Sequence, residues 1–476
     1  MTRAVVSEIL ALYPLVLVGL AALGLVALTA RRPAVGCAVF AFLVALTTGL
    51  GRDTVVPLLR PNEALLLILL AGLAIHHLPR ARTWPVSGLD LAVAGFCAGV
   101  VVIGLSVLVL TGSPYLRDTD TLRSVLSPIQ LLVVYLVFSR VELTGKDVQA
   151  LLNLTMLSSV LVGLVAVAEL ADLPGVRYFL HTYFPPPHPV SPSWDPGYRP
   201  LSTLGHYSAV GAFGAMNYTL ALALATTRHP AFPRAWLSVV MAVNVAAVVA
   251  SLTWAPLIAL PLVTCVVLIY GRRVPMELAV TVAALAIAFV LLWPAVSGRG
   301  AVQGVLPAGS QQLVVPSTFQ YRLQVWNAFF VPALLDDVWL GTGTVIPSVV
   351  PTPLVNFVDN EYLREGFRAG VVGLSLLALM MATIAVVGWR SRASPDPTRH
   401  SLGGALVAMV LFFAVIGFTA EYLFFGGVSQ EFAMLVGILG ARSLVRAPVA
   451  GVLSARQVQR PAARPAPSLQ RATGEQ

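Results

Sequence analysis

Four short stretches carry the residue types that could do polar chemistry. They are Arg199-Pro-Leu-Ser-Thr-Leu-Gly-His206, Tyr321-Arg322-Leu-Gln-Val-Trp326, Trp339-Leu-Gly-Thr-Gly343 and Asp359-Asn-Glu-Tyr-Leu-Arg-Glu-Gly-Phe-Arg368. An arginine fork holds phosphate oxygens in two parallel charge-assisted bonds and stays cationic at any relevant pH. Two such forks, Arg199 and Arg322, could stabilise a departing pyrophosphate without a metal ion. A carboxylate or an imidazole must then accept the proton of the attacking hydroxyl, and Asp359 and His206 are suitable types. The set suits transfer from a lipid diphosphate to a sugar hydroxyl.

Each of these residues also has a plainer role open to it. Asp359 precedes an expected helix and suits an N-cap. Arg364 and Arg368 are four apart with Glu361 and Glu365 interleaved, the pattern of a solvated, ion-paired face. Arg322 lies beside an apolar stripe and could anchor a helix at the membrane surface. His206 could be a structural polar residue at a helix start. Gly341 and Gly343 make a turn first, because a phosphate cradle needs more glycines and a following helix.

The elements that position these stretches are membrane spans. The chain has 476 residues, of which 57% are hydrophobic and 11% charged. A soluble domain has about 25% charged residues. Mean hydropathy is +0.84, so the class is an all-α polytopic membrane bundle rather than a set of soluble domains. Stretches near the roughly 20 residues a spanning helix needs fall at 9–28, 35–50, 63–78, 89–110, 122–138, 148–170, 207–226, 236–253, 257–270, 276–296, 369–388, 402–420 and 428–441. Two of the thirteen are weak, 63–78 and 257–270, so the expected count is about 12–14. The first apolar stretch, Ile9 to Leu28, runs directly into Arg31 and Arg32, and no cleavable signal peptide is expected.

Charge orients the spans. Alternation from the Arg31–Arg32 loop collects 19 basic residues on one side and 11 on the other. The richer side is expected to be cytoplasmic, with the N-terminus outside and the C-terminus inside. The net charge of +9 is then a matter of topology, and no nucleic-acid partner is expected. Two long outer segments, 171–206 and 297–368, are expected to cap the bundle. The second contains an expected helix near 318–335 with Phe319, Leu323, Trp326 and Phe330 on one stripe. The bundle is expected over 1–446, and residues 447–476, rich in Arg, Pro, Ala and Gln, read as a disordered cytoplasmic tail.

Ionisable residues inside a membrane are functional candidates, and few are evident at span centres here. Glu169 and Asp90 fall at span ends, where the water interface accommodates them. Asn153, Asn217 and Asn244 are deeper, and interhelical hydrogen bonds would explain them. Cys37, Cys97 and Cys265 sit in apolar stretches without metal-ligand or disulfide spacing, so small core residues are expected.

With these motifs in place, the chain resembles the O-antigen ligase and polymerase superfamily of bacterial membrane glycosyltransferases. Arg199 through His206 looks like the family's arginine stretch before a central helix. Arg322 and Trp326 followed by Leu340-Gly-Thr-Gly343 look like its outer-loop passage. Asp359-Asn-Glu-Tyr-Leu followed by Gly366, Gly370 and Gly373 looks like its entry into the next helix. The resemblance covers roughly residues 195–390. It implies a GT-C-like architecture and an undecaprenyl-diphosphate-linked glycan donor. It also implies metal-independent inverting transfer, with no cofactor, to a carbohydrate or other hydroxyl acceptor at the outer side of the plasma membrane. Arg199 and Arg322 would contact the diphosphate, while Asn360 and Tyr362 would shape the site.

Two positions depart from the family pattern. Asp359 stands where ligases commonly carry a histidine, so the base is Asp359 or absent. Thr253-Trp254-Ala255-Pro256 replaces a Ser-Arg-Gly turn, which leaves one cationic contact missing or supplied by Arg364 or Arg368. The expected site is therefore Arg322, Asp359, Arg199 and His206 for catalysis, with Asn360, Tyr362, Arg364, Arg368 and Trp326 binding substrate. A lipid-linked sugar flippase or a non-enzymatic partner in envelope assembly is the alternative.

Overall fold

A computed structural model describes residues 2–52, 59–77, 86–185, 198–302, 316–355 and 358–441, with side chains from Leu17 onward. The expected tail at 447–476, Arg80, Arg82 and most of the proline-rich stretch after Phe184 lie outside the described residues. In chain order the helices are α1 (Thr2–Arg31), α2 (Pro33–Thr47), α3 (Pro61–His77), α4 (Gly88–Leu110), α5 (Thr119–Arg140) and α6 (Gly145–Leu170). There follow α7 (Val176–Tyr183), α8 (Tyr207–Thr226), α9 (Arg234–Ala250), α10 (Trp254–Gly271), α11 (Glu277–Leu291) and α12 (Trp293–Val302). The last five are α13 (Ser317–Val325), α14 (Val331–Asp336), α15 (Glu361–Arg390), α16 (Pro397–Ile416) and α17 (Val428–Gly440).

A helix stands at each of the thirteen expected spans. Seven of them, α4, α5, α6, α8, α10, α15 and α16, are long and apolar enough to cross a membrane. The bent pair α11 and α12 qualifies together as an eighth, while α2, α3, α9, α17 and the Leu17–Arg31 part of α1 are shorter apolar helices. The chain is a multi-pass helical membrane protein.

Local signals set the helix ends. Ser87 with Asp90 and Thr144 with Asp147 form capping boxes that open α4 and α6. His206 caps α8 through its ring nitrogen, and Asn360 caps α15 by accepting from the Tyr362 and Leu363 amides. The most buried of the seven long apolar helices is α8, buried along its whole apolar window. Its small residues permit this: a Cβ at Gly214 would lie 3.0 Å from the Asn244 carbonyl of α9.

The span expected at 276–296 is broken. Its helix ends at Leu291, and α12 leaves at 67°. Pro294 is the physical reason, since it offers no N–H to the turn before it and suits the first turn of a new helix. The bend directs α12, and with it Arg299, toward the end of the bundle that carries Arg199 and Arg322.

α15 is also broken, at Ala369 and Gly370, where Gly370 has φ +59° and ψ −154°. The Trp339–Gly343 turn wedges into the break. Thr342 N donates to Phe367 O and Val371 N donates to Val338 O, each at 2.8 Å. The Trp339 backbone sits where a Cβ on Gly370 would go. Gly341 and Gly343, both with positive φ, therefore serve a turn that repairs a helix break.

Above this break α13, α14 and the following loop form a small cap with Trp326, Phe330, Val350, Val358 and Phe367 in its core. The helix expected near 318–335 is present. Three of its four stripe residues, Phe319, Trp326 and Phe330, pack in this core across a π turn at 326–330, whereas Leu323 is exposed.

Burial corrects further expectations. Glu169 and Asp90 are not at water but buried, and both are fully engaged. Asp90 receives the Tyr135 hydroxyl at 2.7 Å and pairs with Arg140 at 2.9 Å. Within the bundle, Glu431 of α17 is buried and accepts from Asn217 of α8 at 3.0 Å, an ionisable residue at the level of that helix's middle. Asn244 bonds Ser159 across helices as expected, whereas Asn153 is exposed. Cys37 and Cys97 are core residues, but Cys265 faces outward.

Candidate functional site

The residues from 198 to 202 are fixed by one buried carboxylate. Glu169, at the end of α6, accepts from the Tyr198 hydroxyl at 2.5 Å, the Leu201 amide at 3.1 Å and the Ser202 amide at 2.7 Å. Ser202 adopts φ +49°, a conformation that these bonds hold against its steric cost. Arg199 is thereby presented between two anchored neighbours. Its Nη2 donates to Thr253 Oγ1 at 2.7 Å, and its guanidinium carbon lies 3.2 Å from the centre of the Tyr207 ring.

Arg199 lines a cavity of about 310 Å³. Arg299 of α12 and Arg322 of α13 line the same cavity, as do Tyr207, Tyr422 and Thr253. Its apolar side is made by Leu252, Trp254, Ala255, Ile258 and Phe319. Ile258 is also 70% exposed on the outside of α10, so this side borders the surface that lipid would cover. Three arginines and a set of apolar residues thus line one cavity.

Electrostatics favour an anion here. Burial pushes the Arg199 guanidinium below its ordinary value, and the charges of Arg299 and Arg322 press the same way, while Tyr207 and Tyr422 oppose. A bound phosphate would reverse that repulsion. Arg322 already has an anionic partner, because its Nε and Nη2 both donate to Asp359 Oδ2, at 3.0 and 2.9 Å. The pair is partly solvated, at 28% and 38% exposure, so a stronger anion can compete for the fork. Asp359 itself has φ +45°, unusual for a residue with a side chain, and precedes the Asn360 cap rather than forming it.

Glu421 lies close by, next to the cavity residue Tyr422, and pairs with Arg364 at 2.6 Å. Burial pushes its carboxyl above the ordinary range; Arg364 opposes this and Asp359 reinforces it. Burial likewise raises the Tyr422 phenol, which stays neutral and able to donate.

The other expected site residues are placed elsewhere. His206 is spent as a cap, accepting from the Ser208 amide at 3.1 Å, with its ring between Tyr207 and Phe425. Trp326 donates to the Val358 carbonyl at 2.8 Å and holds the cap together. Asn360 is the N-cap of α15, and the Tyr362 hydroxyl donates to the Ala414 carbonyl at 2.6 Å. Arg368 pairs with Glu365 and donates to the Ser124 carbonyl of α5 at 2.8 Å. Arg364 reaches the same serine and Glu421.

The third arginine lining the cavity is Arg299, whereas neither Arg364 nor Arg368 lines it. Thr253, the apparent defect in the Thr253–Pro256 turn, is what orients Arg199. Sequence reasoning missed Arg299, Glu169, Tyr207, Thr253 and Tyr422 as site components. Pro294 was the one local signal, since it foretells the bend that delivers Arg299.

The fold and cavity define a class, a multi-pass helical membrane protein with an arginine-lined chamber at one end of the bundle. No family model matches this chain, and no curated protein matches it.

Proposed function

We propose that the protein is a membrane glycosyltransferase of the O-antigen ligase and polymerase type. It would move a glycan from a polyprenyl-diphosphate donor to a hydroxyl acceptor at the outer membrane face. The observation that carries this reading is the convergence of Arg199, Arg299 and Arg322 on one cavity with an apolar, lipid-side wall. A lipid diphosphate has the matching form: a doubly charged head joined to a hydrocarbon chain.

In this reading the arginines neutralise the departing diphosphate, which leaves without metal assistance. Arg322 would exchange Asp359 for a phosphate oxygen as the donor enters. The Asp359 carboxylate, released beside the reacting centre, would then take the proton of the acceptor hydroxyl. The sign of the local field supports the exchange, since the Arg299 and Arg322 charges both press on Arg199. His206 is spent as a cap in the structure, so Asp359 is the base we favour.

The reading is tested in cells by glycan output at matched protein level. Arg322→Ala should abolish transfer, and Arg322→Lys should rescue it poorly because the two-pronged geometry is lost. Full glycan output from both variants would refute the assignment. Movement of labelled lipid-linked sugar between leaflets by the purified protein, with no change in glycan length, would replace it with a flippase.

A further inference from the structure

A second groove lies at the opposite end of the bundle. From Gly370 to Arg390, α15 runs 21 residues, or about 30 Å, away from the arginine chamber. There α15 meets the start of α4, α16 and the end of α17 around a groove of about 770 Å³. Leu379, Ala382 and Val386 of α15 share it with Leu89 of α4 and Leu439 of α17. Leu379 and Val386 are 57% and 47% exposed, so the groove opens sideways from the bundle.

Two arginines, Arg390 and Arg399, close its polar end. Among the described residues neither side chain has an ion-pair or hydrogen-bond partner. The carboxylate nearest in sequence to the groove wall, Asp90, is already taken by Arg140 and Tyr135. Trp389, half exposed beside Arg390, is the residue type that sits at a lipid head-group level. An apolar trough ending in two uncompensated cations is complementary to a molecule with a hydrocarbon chain and an anionic head.

We propose that this groove binds an anionic phospholipid, with an acyl chain along Leu379–Val386 and the phosphate between Arg390 and Arg399. The charge decides the occupant: a zwitterionic head group would bring its own cation to the arginines and lose the advantage. The site is independent of the arginine chamber, so either proposal can fail alone.

The test uses the full-length protein in lipid nanodiscs with phosphatidylglycerol carrying a photoreactive acyl chain, the adduct being mapped by peptide mass. Labelling should fall on the 379–387 stretch and exceed that by the matching phosphatidylcholine. Arg390→Gln with Arg399→Gln should reduce it by roughly tenfold or more, taking each basic residue near the surface as a severalfold effect. The Arg390→Lys, Arg399→Lys pair should keep most of it. Ala382→Trp, which fills the trough and leaves both charges, should also abolish labelling. Equal labelling by the two lipids, labelling elsewhere, or no change in the glutamine pair would overturn the proposal.

Discussion

Glu169 is the residue whose loss should be felt most, although it lies outside the cavity. It is fully buried and accepts three hydrogen bonds, from Tyr198, Leu201 and Ser202. Glu169→Ala removes the acceptor for all three. The Tyr198 hydroxyl keeps a second partner, His181, at 3.1 Å, so two backbone amides are stranded. Each stranded buried donor costs about 1–3 kcal/mol, which puts the variant about 2–6 kcal/mol below the parent. Glu169→Gln keeps one accepting oxygen and turns an N–H₂ toward a donor, a cost of about 1–3 kcal/mol. Tyr198→Phe removes one donor and strands no buried amide, leaving only the partly exposed His181 ring without this partner, a cost of about 1 kcal/mol. The melting temperature of the purified protein in detergent should therefore fall in the order alanine, then glutamine, then phenylalanine. Because Arg199 stands between the anchored residues, transfer activity should fall in the same order. If the three variants melt together, or phenylalanine is the worst, Glu169 does not hold the 198–202 segment.

Asp359→Asn should change stability by less than about 1 kcal/mol, since its ion pair is partly solvated, while transfer falls sharply and substrate binding does not. Comparing melting temperature with kcat and KM separates the two effects. Gly370→Ala should cost at least about 3 kcal/mol, combining a backbone conformation that side chains avoid with overlap on Trp339, and would appear as low yield of folded protein. Glu421, raised by burial, binds a proton more tightly in the folded protein than in the unfolded chain. Stability should therefore decline as pH rises above the ordinary carboxylate range toward its raised value. In Glu421→Gln this part of the decline should disappear, as read from melting temperature against pH.

Helix positions were legible because a bilayer imposes length and hydrophobicity on each segment separately, and each of the thirteen stretches holds a helix. The breaks were less so. Pro294 announces a helix start, but the 67° bend that brings Arg299 to the chamber depends on what α12 packs against. The glycines at 341, 343 and 370 signal turns one at a time, yet their purpose is mutual: one turn fills the break in a helix whose N-terminal part begins 18 residues later. Arg199, Arg322 and Asp359 were legible as cationic and acidic types, and the structure gathers them. Glu169 was misjudged because a carboxylate at a span end looks the same in sequence whether it meets water or captures a loop 29 residues away. Thr253 was misjudged for the opposite reason. It departs from the pattern that the resemblance implies, and only its contact with Arg199 shows what it does.

The central claim is that Arg199, Arg299 and Arg322 grip one phosphorylated lipid head. The most direct measurement is thermal stabilisation of the purified protein by a short polyprenyl diphosphate, with the corresponding alcohol as control. The account predicts a rise in melting temperature with the diphosphate alone, lost in each of Arg199→Ala, Arg299→Ala and Arg322→Ala. Equal responses to diphosphate and alcohol, or undiminished stabilisation in the three variants, would contradict it.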